Sequence, residues 1–355
     1  MRVLKNHLRQ FDKYRKAKMC RLEGVLHRLI RHKSYCEPNI LSKDQVERIL
    51  IVRNNKRIGN MLFLLPFLRQ VRDVFPDAHL TLMLRDESQA ELFANLGVDE
   101  FCFSRLSFRN IFKTLRLVRD LRQQPFDVIF APNDSAEDAA LTALIPARNK
   151  ISRDTLNRNE AYTHVFPYQG EKKHAALASL YLLPAAGFPL APIDHSIEFC
   201  AKEKAFGEQE VDKIQSDQTE NALLIAYFRG ARGAKLLPDS YWDSLLDRFE
   251  QKVDKPIQWV EVLSPDIPEP LRSDIDTFSS PNLRLLASYL TQVDAFICCD
   301  TGPLHLADSA NVKCIGLYNR TCTTTFGLLS DPSVCVKNIE TFDVKQTLQQ
   351  VGALA

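Results

Sequence analysis

Two kinds of hydrophobic spacing alternate along most of this chain. Short apolar runs predict buried strands, and apolar residues three or four positions apart predict helices between them. In the amino-terminal half, strands are predicted at RILIV (48–52), HLTLML (79–84), EFCFS (100–104) and FDVIFA (126–131). The helices are predicted at 61–75, 88–96, 108–122 and 135–144. This alternation is typical of a parallel sheet with helices on both faces.

The same alternation restarts after a helix predicted at 174–186 and a proline-rich stretch that contains Pro184, Pro189 and Pro192. Strands are predicted at 222–228, 257–263, 295–300 and 313–318, with a further short strand at the start of 283–293. Helices are predicted at 241–252, 269–276, the rest of 283–293, and 303–309. We therefore predict an α/β protein with two Rossmann-like doubly wound domains facing a central cleft. Their expected bounds are 45–190 and 191–355, after an extension and linker at 1–44.

The first 35 residues form a basic extension. They contain eleven Lys and Arg residues against Asp12 and Glu23, and their apolar residues follow helical spacing. Two interpretations stay open: a solvated helix packed on the body, or an amphipathic surface that rests on anionic lipid. No signal peptide and no apolar run long enough to span a bilayer is expected. The whole chain carries a net charge of only +2, so its charge gives no reason to expect nucleic acid as a partner.

The nine cysteines contain no closely spaced pair of the metal-binding or redox type. They indicate buried thiols in a reducing compartment. Cys314, Cys322 and Cys335 could form a metal cluster, but their spacing matches no common site, so no metal is expected.

The strongest local motif is CCDTGPLHLADSANVKCIGLY, residues 298–318. An apolar strand ends at Asp300, Thr301 and Gly302 make a tight corner, and Pro303 opens a helix where its missing N–H costs nothing. The first turn of that helix, with His305 near it, is suited to binding a diphosphate.

A second motif is YFRGARGAKLLPDSYW, residues 227–242. It places Arg229, Arg232 and Lys235 in a loop between a strand and a helix. Cations at that edge of a sheet can neutralise a departing diphosphate. A solvated basic loop without a ligand would have the same sequence pattern.

Five segments, taken in order, resemble the lipopolysaccharide heptosyltransferases of glycosyltransferase family 9, over about 48–330. They are the stretch that begins with the first strand–loop–helix, FDVIFAPNDSAEDAALTAL, KKHAALASLYLL, GAKLLPDSYW and CDTGPLHLADSANVKCIGLYNRT. The resemblance implies a GT-B fold, with the acceptor bound mainly by the first domain and the nucleotide-sugar by the second. It implies inverting transfer of heptose from ADP-heptose to a lipopolysaccharide inner-core acceptor at the cytoplasmic face of the inner membrane, without a metal or other cofactor. It matches Lys235 to the lysine that contacts donor phosphate, and Asp300, Thr301, Gly302 and His305 to the donor loop.

The first strand is followed by RNNKRIGN, which ends in Gly59 and Asn60. In the resembled family this corner usually reads Gly-Asp, and the aspartate is the proposed general base. Asparagine can orient the acceptor hydroxyl but cannot take its proton, and a positioned base typically contributes about 10²–10⁴-fold. Three alternatives stay open: another carboxylate acts as base, a group on the acceptor assists, or the protein binds without reacting. The candidate carboxylates are Asp86, Glu87 and Asp134.

The acceptor side carries several arginines. Arg53 and Arg57 lie beside Asn60, and Arg105 and Arg109 follow the third strand, so an acceptor bearing carboxylate or phosphate is expected. The loop NRTCTTTFG (319–327) departs from the pattern of the family, and within it only Thr321 fits a donor contact. We therefore expect a heptosyltransferase, with a silent nucleotide-sugar-binding protein or a transferase for another polysaccharide or protein acceptor as the alternatives.

Overall fold

The structure is a computed structural model that describes residues 23–32, 36–106, 110–155, 157–168, 173–215 and 221–354. Most of the basic extension and the predicted acceptor residue Arg109 lie outside these ranges. Residues 23–30 are helical and are called α1 here. No helix in the described ranges is both long and apolar enough to cross a bilayer.

Six parallel strands form the first sheet, in the order β3-β2-β1-β4-β5-β6. They are β1 Arg48–Val52, β2 His79–Leu84, β3 Glu100–Phe103, β4 Phe126–Ala131, β5 Ala147–Arg153 and β6 His164–Phe166. The first four confirm the sequence prediction, but β5 and β6 were missed. Strand β5 reads ARNKISR and is masked by its polar residues, which are nevertheless buried and bonded: Asn149 accepts from Leu41 N, and Lys150 donates to Ala143 O.

The helices of the first domain are α2 Ile58–Leu62, α3 Leu65–Val74, α4 Ile111–Leu121 and α5 Ala136–Leu144, with a 3₁₀ segment at Glu87–Phe93. The single helix predicted at 61–75 is wrong because it is divided at Phe63 and Leu64. Pro66 lies in the first turn of α3, where it cannot donate to Leu62, so an unbroken helix would lose that bond. The helix predicted at 88–96 is the 3₁₀ segment instead.

The second sheet repeats this topology in the order β12-β11-β10-β7-β8-β9, again with all strands parallel. Its strands are β7 Leu223–Phe228, β8 Ile257–Val262, β9 Asp276–Phe278, β10 Ala295–Cys299, β11 Cys314–Leu317 and β12 Val334–Val336. The helix predicted at 269–276 is wrong: this stretch is irregular and leads into β9. Pro268 and Pro270 disfavour a helix there, and Leu271 N donates to buried Glu261.

The remaining helices are α6 Leu182–Ala185, α7 Ala201–Asp212, α8 Asp239–Lys252, α9 Leu283–Leu290, α10 Gly302–Ser309, α11 Thr323–Phe326 and α12 Val344–Gln350. The helix predicted at 174–186 is mostly turns that end in α6. The strand predicted at the start of 283–293 is helical, because Asn282 caps α9 by accepting from Arg284 N and Leu285 N.

The two domains meet along α2 with α10, and along the 3₁₀ segment with α9. One hydrophobic core cluster includes buried residues of both sheets. Leu283 N at the start of α9 donates to Glu91 of the 3₁₀ segment at 3.1 Å. Because α2 follows β1 and α10 follows β10, the carboxyl ends of the two sheets face each other, and this confirms the predicted two-domain architecture around a cleft.

Candidate active site

Asp300 lies at the centre of a charged network just past the end of β10, with 4% of the residue exposed. Lys235 Nζ donates to its carboxylate at 2.6 Å and to its backbone oxygen at 2.8 Å. His305 Nε2 donates to the other carboxylate oxygen at 2.9 Å. Burial alone would raise the pKa of this carboxyl. Hydrogen bonds from His305, Lys235 and Thr321 outweigh burial and lower the pKa to about 2.

The first turn of α10 is available to an anion. Thr301 occupies the N-cap position, but its side chain accepts no capping hydrogen bond, and its hydroxyl lies 3.2 Å from the Cys298 sulfur. Pro303 has no N–H, His305 N donates to Thr301 O at 3.3 Å, and Leu304 N bonds the Cys298 sulfur, so Gly302 carries the N–H of this turn that is left for a ligand. Lys235 uses two of its three N–H donors on Asp300, so one remains for a ligand.

The loop after β7 carries two arginines with different surroundings. The guanidinium of Arg229 bonds Glu261 and Asp239 and also donates to Glu269 O, so it is committed to the fold rather than to a ligand. Arg232 is exposed in the same loop. Glu261, which the sequence analysis missed, is fully buried and also accepts from Tyr227 Oη at 2.8 Å. A lone acidic residue inside an apolar strand was the only signal for it.

The loop after β11 borders the same network. Thr321 donates to Asp300, which places this predicted residue in the network. Asn319 Nδ2 lies 3.4 Å from Lys235 O, a contact that the sequence analysis missed. The far end of the loop is held because Tyr318 Oη donates to Phe326 O at 2.8 Å.

Two glycines bring the domains together at this point. A Cβ added at Gly59 would lie 3.3 Å from His305 Cδ2 and 3.7 Å from Gly302 Cα. A Cβ added at Gly302 would lie 3.5 Å from Ile58 Cβ. A side chain at Gly59 would crowd His305, whereas a Cβ at Gly302 would make only an ordinary contact, so Gly59 is the position at which the close approach of α2 and α10 favours glycine. This approach brings α2, and with it Asn60, to the Lys235–Asp300–His305 network.

Asn60 is partly exposed and lies in α2. The loop that leads from β1 into α2, residues 53–57, is called the Asn60 loop here and is held by contacts with other parts of the domain. Arg53 is 6% exposed and donates to Asn60 O at 2.9 Å, so its guanidinium supports the loop instead of facing the cleft. Burial lowers the pKa of Arg53, an effect that nearby Asp138 opposes. Asn54 N donates to Asp138 at 2.8 Å, and Gln89 Nε2 donates to Asn55 O at 2.6 Å.

The amide of Asn60 has a defined orientation. Its Nδ2 points to Asn55 Oδ1 at 3.4 Å, and that oxygen also accepts from Arg57 N at 2.9 Å. The Asn55 oxygen is thus an acceptor for both neighbours. The Oδ1 of Asn60 is left to accept a hydrogen bond from a ligand hydroxyl.

Asp138 is a buried carboxyl that the sequence analysis did not single out. It lies in the first turn of α5 and is 0% exposed. Burial raises its pKa to about 6, against the lowering effects of Asn54 N, Arg53 and Ser135. Its second oxygen is buried and has no hydrogen-bond partner among the described residues. Because Asn54 and Arg53 intervene, Asp138 positions the loop from behind.

Phe63, which the sequence analysis also missed, packs across the domain boundary. Its ring lies edge-on to His305 at 4.7 Å and to His174 at 5.5 Å, and is stacked with Phe326 at 6.2 Å. Burial lowers the pKa of His174, a shift that its bond to Gly327 O opposes. This cluster links the end of α2, the helix that contains Asn60, to the loop after β11.

A polar cleft of about 470 Å³ opens at the carboxyl ends of β2 and β3. Arg85, Arg105 and Lys113 line it together with Asp86 and Glu87. Arg105 pairs with Asp86, and Arg85 pairs with Glu137 at 3.0 Å and lies 3.5 Å from Asn54 Oδ1. The cleft therefore adjoins the Asn60 loop.

The other predicted residues lie around this edge. Arg57 is exposed at the start of α2. Asp134 lies beyond the end of β4 and pairs with Arg158, on the opposite side of β1 from Asp86. Within the described ranges, no three His, Cys, Asp or Glu residues lie close enough together to hold a metal ion. The cysteines described there are all unpaired.

Comparisons with known proteins agree with this geometry. The sequence model of glycosyltransferase family 9 (heptosyltransferase) matches residues 270–351, which contain the Asp300 motif. No match was found among curated protein sequences.

Three solved structures share the fold. A family 9 glycosyltransferase from Veillonella parvula is 17% identical, with a TM-score of 0.70 and coverage of 85% of this chain and 89% of that chain. The E. coli heptosyltransferase WaaC with ADP is 16% identical, with a TM-score of 0.66 and coverage of 86% and 99%. E. coli heptosyltransferase II is 16% identical, with a TM-score of 0.64 and coverage of 86% and 98%. The family match over the second domain and the shared two-domain fold together confirm that this chain resembles the glycosyltransferases of family 9.

Proposed function

We propose that this protein is an inverting glycosyltransferase that moves a heptose from ADP-heptose to an inner-core sugar of lipopolysaccharide. The observation that carries the proposal is the Lys235–Asp300–His305 network at the first turn of α10, directly opposite Gly59 and Asn60. The Gly302 N–H at the positive end of α10 and the Lys235 ammonium group lie at one point and suit a diphosphate that leaves with developing charge. The structural neighbour WaaC has been solved with ADP and with ADP-2-deoxy-2-fluoro heptose, which supports this choice of donor.

In the proposed reaction an acceptor hydroxyl attacks the anomeric carbon of heptose while the bond to the diphosphate breaks. Attack from the face opposite the leaving group inverts the configuration. The N-terminus of α10, with the Gly302 N–H, and Lys235 stabilise the negative charge on the departing ADP. Asn60 Oδ1 accepts a hydrogen bond from the hydroxyl and orients it, but the proton must go elsewhere.

Among the three candidate carboxylates, Glu87 is best placed to receive this proton. It is exposed and lines the cleft, and it makes no ion pair with the described residues. Asp86 and Asp134 are each paired with an arginine, so a carboxylate oxygen of each is already occupied. We expect Glu87→Gln to slow transfer by about 10²-fold or more and Asp86→Asn to have a smaller effect. Equal losses in both variants would contradict this assignment.

The cleft beside the Asn60 loop is the proposed acceptor site. Arg105 and Lys113 would bind the carboxylate or phosphate of an acidic sugar, and Arg57 stands at its edge. The basic extension at 1–35 would hold the enzyme peripherally on the cytoplasmic face of the inner membrane, where a lipid-linked acceptor is presented. Arg109 lies outside the described ranges and stays a predicted contact with the acceptor.

The proposal is tested by measuring transfer from ADP-heptose to an inner-core acceptor in the presence of EDTA, with ADP release as the signal. We expect turnover, since no step needs a metal, and we expect ADP-heptose to raise the melting temperature of the folded chain. Turnover with another nucleotide-sugar but not with ADP-heptose would contradict the donor assignment. Other nucleotide-sugars are worth testing because the loop at 319–327 departs from the pattern of the family.

A second candidate function is supported by Asn60 itself. If the chain is a silent binding protein, ADP-heptose binds tightly but neither the wild type nor Asn60→Asp turns it over. Turnover by the wild type rules out this candidate.

A further inference from the structure

Exposed apolar side chains are concentrated on two helices of the first domain. Of the ten large apolar residues that are exposed in the described ranges, six lie on α1 and α4. The set on α1 is Val25, Leu26 and Leu29, and the set on α4 is Ile111, Phe112 and Leu115. Phe112 is 81% exposed and Leu29 is 78% exposed. Single exposed apolar residues need no explanation, but two groups of three on successive helical turns do.

Both helices belong to the same outer layer, because each packs against one side of α5. Leu141 of α5 shares a core cluster with Val118 of α4, and Ala139 of α5 shares another with Ile30 of α1. The ends of α4 and α1 also meet the end of α5: Arg122 Nε donates to Leu144 O at 3.0 Å, and His32 N donates to Ala143 O at 2.8 Å. The layer therefore runs α4–α5–α1.

The α4 group lies at the end of this layer that borders the cleft. Lys113 and Thr114, in the first turn of α4, line the cleft itself. At the start of the described part of α1, Glu23 pairs with Arg158 at 3.1 Å, and Arg158 in turn pairs with Asp134 beyond the end of β4. The α1 group therefore starts near the same carboxyl edge and extends from there toward His32 at the far end of α5.

The charge around these apolar groups is positive. Arg28 is exposed on α1, and Lys113, Arg116 and Arg119 are exposed on α4, against one exposed acid on these helices, Asp120, which pairs with Arg119. The sequence that leads into α1, residues 1–22, adds eight Lys and Arg residues against Asp12. Apolar side chains ringed by long basic ones match the boundary of an anionic bilayer, where the former insert and the latter reach the head groups.

We propose that α4 and α1 form one docking face for an anionic lipid bilayer, with Phe112 as its most inserted side chain. The α4–α1 face would lay the mouth of the cleft against the membrane surface, so that a lipid-linked acceptor enters beside the first turn of α4. That last step rests on the proposed function, whereas lipid binding by the face does not.

Charge decides against the other occupants. A second copy of the same face would bring two sets of basic residues together, and the basic residues 1–22 would be repelled in the same way. A protein partner would need an acidic and apolar surface, and it would not distinguish anionic from neutral vesicles.

The direct test places a reporter at the centre of the face. The chain has two tryptophans, Trp242 and Trp259, and both are buried in the second domain. In Phe112→Trp, the new indole should shift its emission to the blue when mixed phosphatidylglycerol–phosphatidylcholine vesicles are added, and brominated lipid should quench it. The matched control is Leu190→Trp, at an exposed position where the chain passes from the first domain to the second. It should show neither change. An unchanged Phe112→Trp spectrum would overturn the proposal.

Cosedimentation of the full chain with the same vesicles measures the size of the effect. Phe112→Ser with Leu115→Ser should weaken binding about tenfold, since two partly inserted apolar side chains are lost. Leu190→Ser with Ile193→Ser should leave binding unchanged, although as many exposed apolar groups are removed. Wild-type binding by the α4 variant, or equal binding to vesicles of phosphatidylcholine alone, would contradict the proposal.

A second variant tests the charge. Arg116→Glu with Arg119→Glu should reduce binding to the anionic vesicles by about 30-fold at low salt, since each basic residue near the surface contributes separately. Lys202→Glu with Lys204→Glu, on exposed positions of α7, is the matched control. The affinity for ADP should stay at the wild-type value in all four double variants. Absence of transfer from ADP-heptose with vesicle binding intact would remove the proposed function and leave the docking face standing.

Discussion

The carboxyl edges of the two sheets hold their charged side chains in different ways. At the second sheet, Asp300 is 4% exposed and its carboxylate is bonded on both oxygens by Lys235 and His305. At the first sheet, the charged pair at the cleft is open to solvent, with the Arg105 side chain 53% exposed and that of Asp86 25% exposed. Buried charges must keep their partners, whereas exposed pairs can exchange them for water or for a ligand. The edge of the second sheet, where we propose that the donor binds, is therefore preorganised, and the edge of the first sheet, where we propose that the acceptor binds, is adaptable. They are called the donor edge and the acceptor edge here.

The largest expected effect is on the donor edge. Lys235→Ala should slow sugar transfer by about 10²- to 10³-fold, the loss typical when one preorganised donor to developing charge is removed. ADP release at saturating ADP-heptose measures it. Lys202→Ala, on an exposed position of α7, is the control and should match the wild type. A rate within a few fold of the wild type would show that the ammonium group serves only to pair Asp300.

The second effect is on stability at the same edge. The pKa of Asp300 is lowered from 3.8 to about 2, so the folded state favours the ionised form. Its stabilising effect is full above the ordinary carboxyl pKa and is lost as the pH falls toward 2. That shift corresponds to about 2 kcal/mol at neutral pH. Asp300→Asn should therefore lower the free energy of unfolding by about this amount, and the difference should shrink in acid.

Urea unfolding followed by the near-ultraviolet signal of Trp242 and Trp259 measures this, since both lie in the core of the second domain. Asp266→Asn, an exposed position in the same domain, is the control. A difference between Asp300→Asn and the wild type that does not change with pH would contradict the assigned cause.

The same contrast explains what the sequence could predict. The donor edge is built from two continuous motifs, so Asp300 and His305 could be identified from spacing and local geometry. Lys235 could be identified only together with Arg229 and Arg232, and the family resemblance then singled it out. Eight strands were also predicted correctly because they are apolar and regularly separated. Strand β5 was not, because buried Asn149 and Lys150 are paired by residues elsewhere, and no local pattern reveals that pairing.

At the acceptor edge the residues come from separate loops, and their roles depend on which neighbour each side chain meets. Arg53 was predicted to face the acceptor, yet it is buried and holds Asn60 O. Asp138 and Gln89 lie 84 and 34 positions from the loop residues they bind. Such contacts are fixed by tertiary packing and leave no local trace in the sequence.

A third, smaller effect concerns Asn60. Asn55 Oδ1 accepts from Arg57 N and lies 3.4 Å from Asn60 Nδ2. In Asn60→Asp a carboxylate oxygen would face this acceptor, which should destabilise the fold by about 1 kcal/mol. Asn55→Ala in the same chain should remove most of that penalty, and a double-mutant cycle on urea midpoints isolates the coupling. Additive effects of the two substitutions would show that the loop does not select an amide at position 60.

The smallest expected effect separates the two edges most clearly. Arg105→Gln removes an exposed pair with Asp86, so the free energy of unfolding should change by no more than about 0.5 kcal/mol and less at high salt. The same substitution should raise the KM for an acidic acceptor and leave that for ADP-heptose unchanged, since a guanidinium fork for carboxylate or phosphate is lost. Lys345→Gln breaks an exposed pair with Asp254 in the second domain and should change neither KM. A loss of stability as large as that of Asp300→Asn would mean that the acceptor edge is as preorganised as the donor edge. A KM change shared by both substrates would mean that Arg105 acts on the whole cleft and not on the acceptor alone.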